Sequence, residues 1–396
     1  MQMIRLRYSL LTVLALAGCG NDDRDVQTPA GLDCTVTSVA ADSDGLSRAL
    51  ASTDTGGCVL LAQTATYVGT FEVRAGVSLA AEAGTRATLR GGSAGFPVVK
   101  LNEGAQLVGV DVLEAGGVGV AVYGSKATVR DVKVSGAKSA ALAVLCKDGC
   151  DAGTVSLTDV VLEKSQLGLW VSGARLSMKG GQSSGHESTS LSSAAGIIGQ
   201  DGAKLDLDGV TVEKNMGVGV LVDGAATSAS IKNATISENA ERGVWAQRIA
   251  GTIDAPALRI EASQVTKNRI VGVGALESRG IIIVGGRVGD TVAAPLVTNL
   301  ASTEMVGDGI GLFSGSTDFK LESTALEANA RAAGLVDGSE RGIIIVGGKI
   351  AAGASGLKFV VQNSTGADVQ ISETDRTMPA KALGVSAPKL ALPPVL

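Results

Sequence analysis

One short unit recurs along this chain, and its spacing narrows the folds open to it. Asp131-Val132-Lys133-Val134 is followed by related segments at 160–165, 210–215, 234–239, 264–268 and 325–329. In each, apolar and polar residues alternate for a few positions, the pattern of a strand with one face buried. A turn then closes on a small residue or on Asn215, Asn239, Asn268 or Asn329. A second short strand follows, as in Gly168-Leu169-Trp170-Val171, Gly219-Val220-Leu221-Val222 and Gly243-Val244-Trp245-Ala246. Steps of 24 and 29 residues between Asn215, Asn239 and Asn268 are those of a solenoid. Propeller blades need a longer period, leucine-rich repeats need a consensus that is missing, and helical repeats need a 3.6-residue period. Asparagine is the expected occupant of a left-handed turn position, because it tolerates positive φ better than other non-glycine residues.

A sharper repeat lies further on. Arg279-Gly280-Ile281-Ile282-Ile283-Val284-Gly285-Gly286 returns, residue for residue, as 341–348, an offset of 62 that spans two long coils or three short ones. Its I-I-I-V strands are apolar on both faces, so their outer side needs a cover. Self-burial by 287–300 or by the C-terminal tail is one reading and cover by a partner protein is the other; self-association through Ile281–Val284 and Ile343–Val346 is a third. Composition fits thin stacked layers: 54 glycines, 8 prolines and 3% aromatic residues.

The N-terminal part adds a short amphipathic helix over Asp44–Ala51, then Gly57-Cys58-Val59-Leu60-Leu61 and Ala65-Thr66-Tyr67-Val68-Gly69. With the asparagine turns, this order resembles the capping helix and first coils of the pectin-lyase-like superfamily, with Ala65 in place of glycine. The resemblance covers roughly residues 44–372. It implies an all-β, single-stranded, right-handed parallel β-helix of roughly twelve coils, a rod on the order of 60 Å long. Its expected extent is 32–376, with a tail at 377–396 whose Pro379, Pro388, Pro393 and Pro394 exclude a central strand.

Arg5 and Arg7 precede an apolar segment too short to span a bilayer, the pattern of a secretion signal over 1–18. Leu16-Ala17-Gly18-Cys19 resembles the lipobox of bacterial lipoproteins, which implies acylation of Cys19 and a linker over 19–31. Gly20 is not the aspartate that favours inner-membrane retention, so attachment to the outer membrane is expected, facing periplasm or exterior. The four remaining cysteines suit two disulfides in an oxidising compartment, paired by proximity as Cys34–Cys58 and Cys146–Cys150. A formal charge of −5 argues against nucleic acid as a partner.

Chemistry is sparse. His186, the single histidine, lies in a Ser/Gly-rich stretch over 180–190 that reads as an exposed loop. With Glu187 it is a weak catalytic candidate, since Gly185-His186 matches only part of the Gly-His-Gly motif of polygalacturonases and no paired carboxylates accompany it. Glu163, Glu213 and Glu327 share a register with Lys164, Lys214 and Lys267 beside them, which reads as a solvated edge rather than a metal site. No phosphate-binding loop or other cofactor motif is found. Strand parity sends Trp170, Leu221 and Trp245 outward in one column, with Phe313 further along. Outward tryptophans can stack on sugars or anchor a protein. The expected function is therefore a cell-envelope lipoprotein presenting a β-helix face to polysaccharide or protein, without catalysis. The alternatives are a polysaccharide lyase or hydrolase of the same superfamily, and a self-associating structural or adhesive rod.

Overall fold

The computed structural model describes residues 27–62, 65–91, 95–146, 153–188, 194–295, 305–339, 342–364, 369–370 and 376–377. The chain winds as a right-handed parallel β-solenoid of about 12 turns with one short helix. Three sheets run its length. Among the described residues, sheet A has 14 strands, sheet B 11, and sheet C 14 when a short antiparallel strand at Ala294–Pro295 is included. A representative coil runs Thr154–Thr158 in sheet A, Val161–Glu163 in B and Leu167–Ser172 in C, then re-enters A at Arg175–Lys179. The two I-I-I-V strands lie in sheet A, separated by Thr317–Glu322, so the offset of 62 spans two coils.

Alternation puts one residue set into a continuous lumen. Val129, Leu157, Met178, Leu207, Ile231, Ile260, Ile283 and Leu321 stack rung on rung in register, each buried. Shape-matched neighbours let small and branched side chains fill a narrow interior at native density. The helix Ser43–Ser52 closes the N-terminal end with Leu46 and Leu50. Its first turn is capped by Asp42, whose carboxylate accepts from Gly45 N at 2.6 Å.

The Cys34–Cys58 disulfide is formed, with Cα atoms 5.5 Å apart. Cys146 is also disulfide-bonded; Cys150 lies outside the described residues, as do Cys19, the signal segment and 378–396. The expected linker is partly structured. Gln27 O accepts from Ala83 N, Ala30 O accepts from the Arg130 guanidinium, and Leu32 packs on outward-facing Leu60, Ala80 and Val108 of sheet A.

Three expectations need correction. The left-handed residue at each turn precedes the asparagine: Lys214, Glu238, Lys267 and Ala328 have φ of 56°, whereas Asn215, Asn239, Asn268 and Asn329 have none above zero. The stretch 180–190 is not simply a loop, since Gln182–Ser184 pairs on both sides within sheet B and His186 is fully buried. The I-I-I-V strands are also covered unequally. Ile282 lies between the strand partners Arg259 and Lys320 and is buried, whereas Ile344 is half-buried and Val346 is 49% exposed.

Candidate functional site

The corner between sheets B and C carries a buried polar ladder. His186 N donates to Asn215 Oδ1 (3.1 Å), Asn215 N and Nδ2 to Asn239 Oδ1 (3.2 and 2.8 Å), and Asn239 N and Nδ2 to Asn268 Oδ1 (3.1 and 2.8 Å). Further on, Thr291 Oγ1 donates to Asn329 Oδ1 at 2.7 Å. Each amide thus satisfies turn donors that water cannot reach. The glycine that opens each sheet C strand makes room for it: a Cβ on Gly219 or Gly243 would stand 2.7 Å from Asn239 Nδ2 or Asn268 Nδ2.

His186 is a rung of this ladder. Its Nδ1 accepts from Ser165 N at 3.3 Å, and its Nε2 lies 3.1 Å from Ser183 Oγ, which itself donates to Gly196 O. The ring is therefore neutral with its proton on Nε2. Burial holds its pKa at about 4, well below the usual 6.5. Without solvent or substrate access, it is not a catalytic base. Glu187 is exposed and lines a cavity of about 650 Å³ together with Lys138, Lys164, Gln166 and Ser188.

The aromatic column has the expected parity but not the expected exposure. Ala121, Ala143, Trp170, Ile198, Leu221 and Trp245 occupy one outward row of sheet C, continued by Gly274, Gly311, Leu335 and Val360. Trp170 (1%), Leu221 (2%), Trp245 (0%) and Phe313 (1%) are all buried, in a cluster separate from the lumen. They are therefore corrected as ligand-stacking positions. The Trp245 ring lies against Gly274 and 5.9 Å from Phe313, with the Arg242 guanidinium 4.4 Å above it. Arg242 is itself 2% exposed and bridges to Glu241, whose carboxyl is pushed up by burial against the pull of Arg242.

Among the described residues, the N-terminal end of this face carries an exposed aromatic ring. In the same row Ala121 pairs with Lys100 and Lys100 with Glu72; the adjacent row places Tyr123 beside Asn102. Lys100 Nζ and Asn102 Nδ2 both donate to Glu72 Oε1 at 2.9 Å. The asparagine amide, and then Lys100, hold the Glu72 carboxyl below its ordinary pKa, so it stays ionised. Tyr123 is 42% exposed, with Lys100 Nζ 5.7 Å from its ring centre. Glu72 also lines a neighbouring cleft of about 370 Å³ under the capping helix, with Ser47, Thr70 and Arg74. The sequence reading missed this group. Gly119-Val120-Ala121-Val122-Tyr123 repeats the Gly-Leu-Trp-Val pattern two coils earlier, and extending the alignment that far would have found it.

The acidic register is real and is used in ion pairs. Glu163, Glu213 and Glu327 share an outer row of sheet B, interrupted by Ser184, Ser237, Thr266 and Gly289. They pair with Lys133, with Lys214, and with Arg287 and Lys349, respectively. Among the described residues no group of three acidic, cysteine or histidine side chains could hold a metal ion.

Fold and comparison agree on the class. Residues 118–288 match the family model described as "Right handed beta helix region". No curated protein matches the sequence significantly. Among solved structures, the A-module of mannuronan C-5 epimerase AlgE6 from Azotobacter vinelandii superposes with a TM-score of 0.51 at 15% identity, covering 84% of this chain and 97% of that one. A mutant of the periplasmic alginate epimerase AlgG gives 0.54 at 12%, covering 86% and 84%. The AlgE4 A-module, also from Azotobacter vinelandii, gives 0.50 at 12%, covering 89% and 96%. At these identities the likeness is one of fold: this is a right-handed parallel β-helix.

Proposed function

We propose that this protein is a lipid-anchored component of the bacterial cell envelope that binds polysaccharide at the open end of sheet C without transforming it. The observation that carries the reading is the Tyr123 ring, half-exposed on a rigid sheet beside Lys100, Asn102 and Glu72. A flat apolar ring flanked by fixed donors and acceptors suits a sugar, whose faces are apolar and whose edge is polar. Two of the structural neighbours are described as mannuronan C-5 epimerases and a third as a periplasmic alginate epimerase, which favours a uronate polymer as the first ligand to try. Lys100 supplies a cation for its carboxylates. The Cys19 motif supports the anchor and the envelope location.

Calorimetric titration with alginate, polygalacturonate and a neutral glucan tests this. Tyr123→Ala should weaken binding of the preferred glycan about tenfold, near 1.4 kcal/mol. Equal affinity in the variant, or no glycan bound at all, sinks the proposal. The second reading, a uronate lyase or epimerase, is favoured by Glu187 standing beside Lys138 and Lys164 in one groove. It requires a carboxylate to remove a proton that neighbouring cations acidify. Turnover of a uronate polymer, abolished by Glu187→Gln, would establish it.

A further inference from the structure

The Tyr123 row does not end at Asn102. Val73 pairs with Leu101 and Asn102 N donates to Val73 O, so the register carries Asn102 onto Arg74, one coil nearer the capping helix. The N-terminal end of sheet C therefore presents two outward rows over three coils. Ala121, Lys100 and Glu72 form one; Tyr123, Asn102 and Arg74 form the other. Arg74 stands two strands from Tyr123, roughly 10 Å at the strand spacing.

The two cations of this grid are committed differently. Lys100 Nζ bridges to Glu72 at 2.9 Å, so its charge is already shared within the protein. Arg74 is exposed, and among the described residues no carboxylate pairs with it. Its Nη1 donates to Ala51 O at the C-terminal end of the helix, at 3.0 Å, which leaves most of its donors unused. A guanidinium carries five N–H groups in a planar fork that fits a carboxylate bidentately. The sheet edge adds main-chain groups. Phe71 N donates to Val98 O and Val73 O accepts from Asn102 N, so both residues face the next coil. Glu72, between them, turns its N–H and C=O the other way, toward the cleft under the helix. Neither group has a main-chain partner among the described residues.

We propose that this cleft is a uronate subsite of the glycan-binding face. The polymer runs along the coil axis from Tyr123 past Asn102, and the Arg74 guanidinium takes the carboxylate of a sugar two residues on. The assignment rests on the reading of Tyr123 as a sugar-stacking ring. A 1,4-linked pyranose advances by about one strand spacing per residue, so both contacts together need at least a trisaccharide. Glu72, pinned by Lys100 and Asn102, accepts from sugar hydroxyls and repels a carboxylate placed over it, which leaves Arg74 as the carboxylate's partner. The cleft, about 370 Å³, has room for that sugar between Thr70 and Ser47.

Calorimetric titration with mannuronate oligomers, from disaccharide to hexasaccharide, tests this, each compared with its carboxyl-reduced counterpart. In the unmodified protein, affinity should rise about tenfold from disaccharide to trisaccharide, and carboxyl reduction should remove that rise. Arg74→Gln keeps a donor for Ala51 O and should bind every length as the unmodified protein binds the disaccharide. Arg74→Lys should recover part of the gain, because an ammonium keeps the charge without the fork. Tyr123→Ala should weaken all lengths. The same rise in Arg74→Gln, or with carboxyl-reduced oligomers, overturns the subsite and leaves the Tyr123 reading standing. Absence of binding at every length, or binding indifferent to Tyr123→Ala, removes both. If Arg74→Gln fails to fold, the carboxyl-reduced series on the unmodified protein decides alone.

Discussion

The asparagine corner and the outer face of sheet C run side by side on the same coils and reverse the usual placement of side chains. At the corner, amides and an imidazole are buried because each meets a specific partner one rung away. On the outer face, tryptophans and leucines point away from the lumen and are buried all the same. Parity along a strand therefore distinguishes lumen from exterior; it does not distinguish buried from exposed. The corner depends on directional hydrogen bonds with no tolerance for a missing partner, whereas the face depends on non-directional contact that can repack.

The sharpest way to break this contrast is to remove one rung. Asn239→Ala deletes the acceptor of two Asn215 donors and the donor to Asn268. It should cost about 3–5 kcal/mol in denaturant unfolding, because the groups left behind are dry. Asn329→Ala should cost less, since its Nδ2 already lacks a partner. Equal, small losses at both positions would show that the ladder is incidental.

Next in size is the acid sensitivity of His186. Its folded pKa, about 4, lies below the unfolded value of 6.5, so between them the unfolded chain binds the extra proton. Stability is then fully present above pH 6.5 and declines as pH falls toward 4, by about 3 kcal/mol in all. His186→Asn extends the asparagine series and should flatten this part of the pH–stability curve. An unchanged slope would place the acid sensitivity elsewhere.

The smallest effect compares two glycines. Gly219→Ala drives a methyl against Gly243 O and Asn239 Nδ2, at 2.6 and 2.7 Å, and should cost about 1–3 kcal/mol. Gly274→Ala meets the Trp245 ring instead. A face that repacks should absorb that change with a shift in tryptophan emission and a smaller loss of stability. A larger loss for Gly274→Ala would mean that the outer face is as rigid as the corner.

Much of the fold was legible because its signals are local and repeated. Alternation gave the strands, the return of Asn215, Asn239 and Asn268 gave the coils, and Leu46 and Leu50 gave the cap. The site was less legible. His186 looked like a loop residue because Gly, Gln and Ser around it are loop formers in isolation, yet a three-residue strand between two ready-made neighbours needs little propensity of its own. Asn215 looked like the left-handed residue because asparagine has that preference. The ladder needs its amide elsewhere, and Lys214 takes the positive φ instead.

The sequence by itself determined the repeat, the parity of each side chain and the pairing of Cys34 with Cys58, since all three follow from spacing along the chain. Only the tertiary structure decided which outward residues stay wet. Exposure depends on what lies across from a residue in space, and Tyr123 and Trp170, alike in parity, differ in how much of the sheet's outer face is left uncovered around them.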